Sequence, residues 1–368
     1  MSGKIGKTVA VIGGGRWARA LAATLVKNRL RSPHRVAQVL HYRPPRETAA
    51  AASGDEPSTR DVIPATVAVA GIGAPAGSDV MPSSASSKTP DLGIIPVELS
   101  DLGEADLLLL AAPAMAVRGL LRIASGVLHG GQTLVHAIGS LSPALPDEGH
   151  GALLISYVVR QETPIRRIGV LAGPALAPDL EEFNPSALIC GSQYADVGEA
   201  IIQTLAGPSL RIYTTQDLIG VEVARAGAAV IALASGVASA LDLGAPARAI
   251  LITRGAAEMA RLGVALGGNK DTFFGLAGVG ELVVATERRG SADFELGRLL
   301  GLGRTLPDAL REVGRVCDGP GMVRVAHALA HRFHLRMPLV TALHSWLAGE
   351  QDTRTALADL FKSDNHAE

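Results

Sequence analysis

The apolar run Thr8-Val-Ala-Val-Ile12 ends directly in Gly13-Gly-Gly15, and Arg16 to Arg29 follows with helical spacing of Ala20, Leu21, Ala23, Thr24 and Leu25. An uninterrupted apolar run of this length reads as a parallel strand buried on both faces. In the pattern Gly13-x-Gly15-x-x-Ala18 the first glycine permits the tight turn and the second lets the backbone approach a pyrophosphate. The third small residue lets helix and strand pack closely, and the helix N-terminus attracts the phosphates. Strand, turn and helix together predict a dinucleotide-binding Rossmann unit. Gly6-Lys7-Thr8 imitates the end of a P-loop, but Met1 stands where that loop requires its first glycine.

The same alternation continues. Val36–Tyr42 is a second strand candidate, Asp106-Leu-Leu-Leu-Leu-Ala-Ala-Pro113 a strand stopped by proline, and Thr133–Ala137 another, with a helix predicted from Met115. Such alternation argues for a doubly wound parallel sheet. From Gln216 onward the pattern is helical: Leu218–Leu241, Pro246–Leu262, Phe294–Leu302, Leu306–Val316, Val323–Phe333 and Val340–Ala348, with no clear strand. The expected organisation is an α/β Rossmann domain over 1–205 and an all-α domain over 206–368. The segment 44–93, dense in Ala, Ser, Pro and Gly, reads as a long surface insertion in the first domain.

A chain of 368 residues, 48% hydrophobic, has ample material for two cores. Lys+Arg 34 against Asp+Glu 35 gives no electrostatic reason to expect nucleic acid or an anionic membrane as partner. Two cysteines, Cys190 and Cys317, make no disulfide framework and suit a reducing compartment. The opening residues lack the apolar stretch of a signal peptide, and Ala226–Leu241 is shorter than a membrane span and reads as a buried helix. The expectation is a cytoplasmic protein with no membrane span and no metal.

Cofactor type stays open between NAD and NADP. An acidic residue ending the second strand would grip the ribose 2′-hydroxyl of NAD. That region reads His41-Tyr42-Arg43-Pro44, with Arg46 close by and Glu47 later. Arg43 either tolerates a 2′-phosphate or is a solvated loop arginine.

Several segments together are specific. They are Val11-Ile-Gly-Gly-Gly-Arg-Trp17, Ala105–Pro113, Gly173-Pro-Ala-Leu-Ala177, Tyr213–Glu222, Ile252–Gly263, Thr272–Gly280 and Ala326–Pro338. On these the chain resembles the NAD(P)-dependent glycerol-3-phosphate dehydrogenase family over nearly its full length. The resemblance implies a homodimer of glycerophospholipid metabolism with substrate held between the two domains. It also implies hydride transfer between C2 of glycerol 3-phosphate, or a related small hydroxy or keto compound, and nicotinamide C4. Carried over position by position, it implies cofactor contacts at Gly13, Gly15, Arg16, Trp17, Ala18, Arg43, Pro113, Ala177 and Asp318. Substrate contacts are implied at Gly173, Ala175 and Ser291, with Arg225 as a nearby cation.

The match fails in a patterned way. Ala228 stands at the family's acid–base lysine and Ala229 at the neighbouring asparagine. Gly139 stands at a second lysine, and Ala292-Asp293 at an Arg-Asn pair. Losing one positioned acid–base group typically forfeits about 10²–10⁴ in rate. Glu281, at a family aspartate, is the candidate replacement base if burial raises its pKa; the other reading is a structural hydrogen-bonding role. Arg225 either reaches the cleft or pairs with Glu222 at i,i+3. Arg288 and Arg289 either hold an anion or are solvated, and Asp293 reads as a repelling charge. His136 reads as a core residue. The rival to a dehydrogenase is a dinucleotide-binding protein without catalysis, serving as sensor, scaffold or partner subunit; an imine- or opine-forming reductase is a third reading.

Overall fold

The computed structural model describes residues 6–32, 34–44, 95–142, 154–287, 291–351 and 355. Most of the 44–93 segment, with Arg46 and Glu47, and the pair Arg288–Arg289 lie outside the described residues.

The strand expected from the first apolar run is β1, Lys7–Ile12, buried from Thr8 onward. It ends at Gly13, whose φ is +148°, and a Cβ there would stand 2.1 Å from the Ala111 carbonyl oxygen. Only glycine fits that corner. α1 (Arg16–Arg31) follows, then β2 (Val36–Tyr42), the two-residue β3 (Ile95–Pro96) and β4 (Leu107–Leu110). The chain continues through α2 (Ala114–Ala124), β5 (Thr133–His136), α3 (Ile155–Glu162) and β6 (Arg167–Ala172). Last in this half come α4 (Ala177–Glu182), β7 (Ser186–Gly191), α5 (Ala195–Leu205) and β8 (Leu210–Thr215). The eight strands form one sheet in the order β3-β2-β1-β4-β5-β6-β7-β8. Every pairing is parallel except β6 with β7. Because β8 pairs with β7, the sheet runs past the 205/206 division read from the sequence.

Successive side chains of a strand point to opposite faces, and the two faces are covered by different helices. Val9, Val11, Leu107 and Leu109 pack with α1 and α5 residues. Ala10, Ile12, Leu108 and Leu110 pack with α2 and α3 residues. This is the doubly wound arrangement.

Beyond Thr215 the described chain is helical. α6 (Leu218–Ala240) is followed by α7 (Gly244–Ala265), a π-turn over Leu276–Gly280 and α8 (Glu281–Ala285). Then come α9 (Ala292–Gly301), α10 (Leu306–Val313), α11 (Gly319–Arg332) and α12 (Pro338–Leu347). α6 is long and apolar enough to cross a membrane, but 89% of its most apolar stretch is buried in the protein. It is the axle of the helical core and also meets β6 residues Val170 and Ala172. α6 and α9 touch backbone to backbone: a Cβ at Gly236 would lie 2.0 Å from the Phe294 carbonyl, and one at Gly297 2.0 Å from the Leu233 carbonyl.

Carboxylates cap two helices. Asp217 accepts from Gly220 N at 2.9 Å at the start of α6. Glu258, on α7, accepts from Leu339 N at 2.7 Å and Val340 N at 3.1 Å at the start of α12. Burial pushes the Glu258 carboxyl up to about 7, so it takes up a proton in the native state more readily than in the unfolded chain. Its contribution to stability is full below its ordinary pKa and is lost as pH rises through 7. Replacing Glu258 with alanine leaves two buried N–H groups without an acceptor. Glu258→Ala is expected to cost about 2–4 kcal/mol, read as a lower urea midpoint at unchanged m-value.

Candidate active site

Between the C-terminal ends of β1, β5 and β6 and the helices α6, α8, α9 and α11 lies a cleft of about 320 Å³. Open α/β sheets bind ligands at this end of their strands. The cleft gathers Arg16, Trp17, Gly173, Ala175, Ala177, Arg225, Glu281, Ser291 and Asp318 from both halves of the sequence. Of the expected contacts, Gly13, Gly15, Ala18, Arg43 and Pro113 do not line it.

Gly13, Gly15 and Ala18 instead build the turn beside it. Nothing lies within 4 Å of where a Cβ would stand at Gly14 or Gly15, so the space in front of the turn is open. Gly15 is the N-cap of α1, with no side-chain cap and no acidic residue in the first turn. The first-turn N–H groups therefore lack a side-chain acceptor, which suits a pyrophosphate. The residues present fit a nicotinamide dinucleotide. His41, at the end of β2, fixes the turn through its buried Nε2, 2.7 Å from the Gly13 carbonyl oxygen. Burial and the hydrogen bond from this ring act in opposite directions on its pKa, and burial prevails, holding it below the usual histidine range. Nothing in the sequence of a strand-end histidine announces which carbonyl it will reach. Arg43, two residues after it, is exposed, and Pro113 is the exposed N-cap of α2.

At the cleft floor Glu281 does not stand free. Arg225 forms an ion pair with it through Nη1, and Gly173 N donates to its Oε2 at 2.5 Å. Burial raises the Glu281 carboxyl, while Arg225 and the Gly173 N–H pull it back. The guanidinium also sits 5.7 Å from the centre of the Trp17 ring, within cation–π reach. These three contacts tie α6, α8, the β6 loop and α1 together.

The i,i+3 pair of Arg225 with Glu222 is not formed. Glu222 is buried and accepts from the first-turn N–H groups of α3, at Ile155 and at Ser156 (3.3 Å). Those otherwise unpaired amides capture the carboxylate and leave Arg225 to the cleft. His136 lies beneath, fully buried, with Nε2 3.6 Å from Glu222 Oε2, in keeping with its reading as a core residue.

The substituted positions all face the same cavity. Ala228 and Ala229 form an apolar wall with Ala232. Gly139 ends the β5 loop, where a Cβ would stand 3.3 Å from Asp318 Oδ2. Ser291 lines the cleft, and its Oγ accepts from Phe294 N at 3.2 Å, capping α9. Asp293 Oδ1 accepts from Gly319 N at 2.7 Å. Burial and the neighbouring Asp318 carboxylate push the Asp293 carboxyl up to about 8, and burial also raises Asp318. Asp293 therefore holds a proton more readily than an ordinary aspartate, which weakens the repelling charge that its residue type suggests. Arg315 and Val316 complete the rim; they stand just before Asp318, the one residue of that turn singled out from the sequence.

A Rossmann half joined to a helical half, with the cleft at the carboxyl end of the sheet, defines the class: a two-domain dinucleotide-dependent dehydrogenase fold. The family is equally definite. The signature of the NAD-dependent glycerol-3-phosphate dehydrogenase N-terminus matches residues 98–197, and that of the C-terminus matches residues 217–358. A glycerol-3-phosphate dehydrogenase [NAD(P)+] of Desulfitobacterium hafniense (strain Y51) is 37% identical over 260 residues, 71% of this chain and 72% of its own length. The enzyme of the same description from Bacillus subtilis (strain 168) is 35% identical over 263 residues, 71% and 74% of the two chains. The crystal structure of a glycerol-3-phosphate dehydrogenase from Coxiella burnetii superposes with a TM-score of 0.79 at 24% identity, covering 98% of this chain and 100% of that one. The chain belongs to the NAD-dependent glycerol-3-phosphate dehydrogenase family.

Removing Arg225 would strand Glu281 in a site where its side chain is only 12% exposed. Breaking one side of a buried pair costs about 3–5 kcal/mol. Arg225→Met is expected to lower stability by about 3 kcal/mol, and Arg225→Met combined with Glu281→Leu by clearly less, measured by urea denaturation of both proteins.

Proposed function

We propose that this protein is an NAD(P)-dependent oxidoreductase of the glycerol-3-phosphate dehydrogenase type. It interconverts a small hydroxy compound, sn-glycerol 3-phosphate or a relative of it, with the corresponding ketone such as dihydroxyacetone phosphate. The observation that carries this reading is the cleft itself. Its walls come from the two matched halves of the family, and it opens beside a glycine turn shaped for a pyrophosphate. When bound, the nicotinamide dinucleotide supplies or accepts the hydride. Gly13, Gly15 and Ala18 form the turn for its phosphates, with Arg16, Trp17, Ala177, Pro113 and Asp318 along its path. Arg43, exposed where an acidic residue would exclude a 2′-phosphate, makes NADP as acceptable as NAD.

Gly173, Ala175, Ser291 and Arg225 form the substrate side. Glu281 serves there as a positioning carboxylate: its ion pair with Arg225 and its bond from Gly173 N leave it poorly placed to take a proton. The protein works as a cytoplasmic homodimer, its residues 206–368 serving substrate binding and dimerisation.

A second reading is favoured by one observation. The Ala228–Ala229–Ala232 wall and Gly139 leave the cleft without the family's two lysines, as a dinucleotide-binding protein without catalysis would. Assay separates the two readings. With NADPH, the wild-type protein is expected to reduce dihydroxyacetone phosphate at least about 10³-fold more slowly than a lysine-bearing relative such as the B. subtilis enzyme, from the loss of a positioned acid–base group. Ala228→Lys alone should recover little, because the phosphate seat at Ala292 stays empty of cations. Restoring lysine at 228 and 139 together with Arg-Asn at 292–293 should recover far more activity than any of these changes made alone. A wild-type protein that binds NADPH yet reduces no carbonyl compound would favour the second reading. Rapid turnover by the wild type would show that the lost lysines were dispensable.

A further inference from the structure

The cleft has lost its lysines but not its protons. We propose that the carboxyl pair Asp293–Asp318 holds the proton that carbonyl reduction requires and delivers it to the substrate oxygen, a duty that the family gives to a lysine on α6. The inference rests on the oxidoreductase reading above.

Three features of the cleft point to this pair. Both carboxyls line the cavity, from the first turn of α9 and the start of α11. They are held against each other, because Asp293 Oδ1 accepts from the N–H of Gly319, the residue that follows Asp318. And Gly139 opens the cavity towards them: where a lysine would bring a cation onto Asp318, there is only an α-carbon, with Asp318 Oδ2 3.3 Å from the position of a Cβ. A lysine there would hold both carboxyls ionised. Its absence leaves two like charges packed together in a poorly solvated wall, and such groups do not both ionise at neutral pH.

The charged surroundings agree in sign. Asp318 raises Asp293, whereas Arg315 and the Gly319 N–H lower it, and burial prevails. Arg225, across the cleft on α6, lowers Asp318, and there too burial prevails. Cys317, between Arg315 and Asp318, is pushed up by burial and by both carboxylates, so it stays a neutral thiol. A carboxylic acid that keeps its proton to about pH 8 is matched to proton donation near neutrality. Burial raises Glu281 as well, but both its oxygens are engaged, one by Arg225 and the other by Gly173 N, so it is less free to hand on a proton.

The step balances. A bound reduced nicotinamide would supply the hydride for the new C–H bond, and the carbonyl π electrons would pass to oxygen. The carboxyl O–H breaks and the alcohol O–H forms, leaving both carboxyls ionised until water returns a proton. Oxidation of the alcohol runs the same path backwards and needs the pair doubly ionised. Reduction should therefore fail, and oxidation improve, as pH rises through about 8.

Two measurements on the full-length protein test this. Infrared difference spectra across pH 5 to 10 should show the carbonyl band of a protonated carboxylic acid that survives at pH 7, fades above about 8, and is altered in both Asp293→Asn and Asp318→Asn. The asparagine at 293 keeps an acceptor for Gly319 N, so the fold is expected to persist, which circular dichroism checks. NADPH-dependent reduction of dihydroxyacetone phosphate, followed over the same pH range, should fall at least about 100-fold in Asp293→Asn. The wild-type limb above pH 8 should vanish, and NADPH affinity by fluorescence titration should stay unchanged. A band absent at pH 7, or variants that keep both wild-type rate and wild-type pH profile, would overturn the role of the pair and leave the oxidoreductase reading intact. A wild-type protein that binds NADPH and reduces nothing would overturn both.

Discussion

The packing of α6 is the constraint on which the cleft depends. The helix is buried along nearly its whole length, and it fits because glycines let its neighbours approach to backbone contact. Gly236 lies against α9 and Gly227 against the Met259 side chain of α7. At such distances a methyl group has nowhere to go, and overpacking there costs a few kcal/mol. The close crossing with α9 brings the first turn of α9, with Ser291 and Asp293, to the wall that α6 provides with Ala228 and Ala229. Asp217 fixes the other end of the helix, accepting from Gly220 N, Asn269 N and Thr272 Oγ1. The cleft is thus held largely by apolar packing and caps that lie outside the substituted positions.

That separation explains how the polar centre could change while the frame stayed. Where the family carries two lysines, an asparagine and an Arg-Asn pair, this chain carries Gly139, Ala228, Ala229, Ala292 and Asp293. Its charges are balanced in place. Arg225 is matched with Glu281, Arg16 with Glu181 at 2.7 Å, and burial, with Asp318 alongside, raises the Asp293 carboxyl. Where the family places cations, the cleft has an alanine wall and the two carboxyls of Asp293 and Asp318. Chemistry in such a cleft depends more on placing a single proton than on a field of positive charge.

Much of this was legible in the sequence. The run Thr8–Ile12 with its glycines fixed the Rossmann start, because parallel-strand burial and the turn at Gly13 each impose a local pattern. The switch to helices past Gln216 was equally plain, and the substituted positions could be located by their matching flanks. The edges were less visible. Only Leu210 of β8 is buried, the rest being half-buried or exposed, and the strand follows a short loop, so the sheet extends further than the apolar runs suggested. Partnerships were the real gap. Arg225 and Glu222 share a helix, yet Glu222 goes to the amides of α3 and Arg225 to Glu281, 56 residues later. Local spacing says which groups can meet, but not which buried amide competes for them. The raised carboxyl of Asp293 was hidden for the same reason: it follows from burial beside Asp318, which only the fold brings about.

The account stands or falls on whether the retained frame still holds a nicotinamide dinucleotide against the cleft. Trp17 lines that cleft, and the only other tryptophan is Trp346 in α12. Titration with NADPH should therefore quench tryptophan emission saturably, with one equivalent bound per chain and energy transfer to the reduced nicotinamide. In Trp17→Phe the transfer should be largely lost while binding, followed by calorimetry, persists. Emission that NADPH leaves unchanged, together with no heat of binding, would contradict the account at its base.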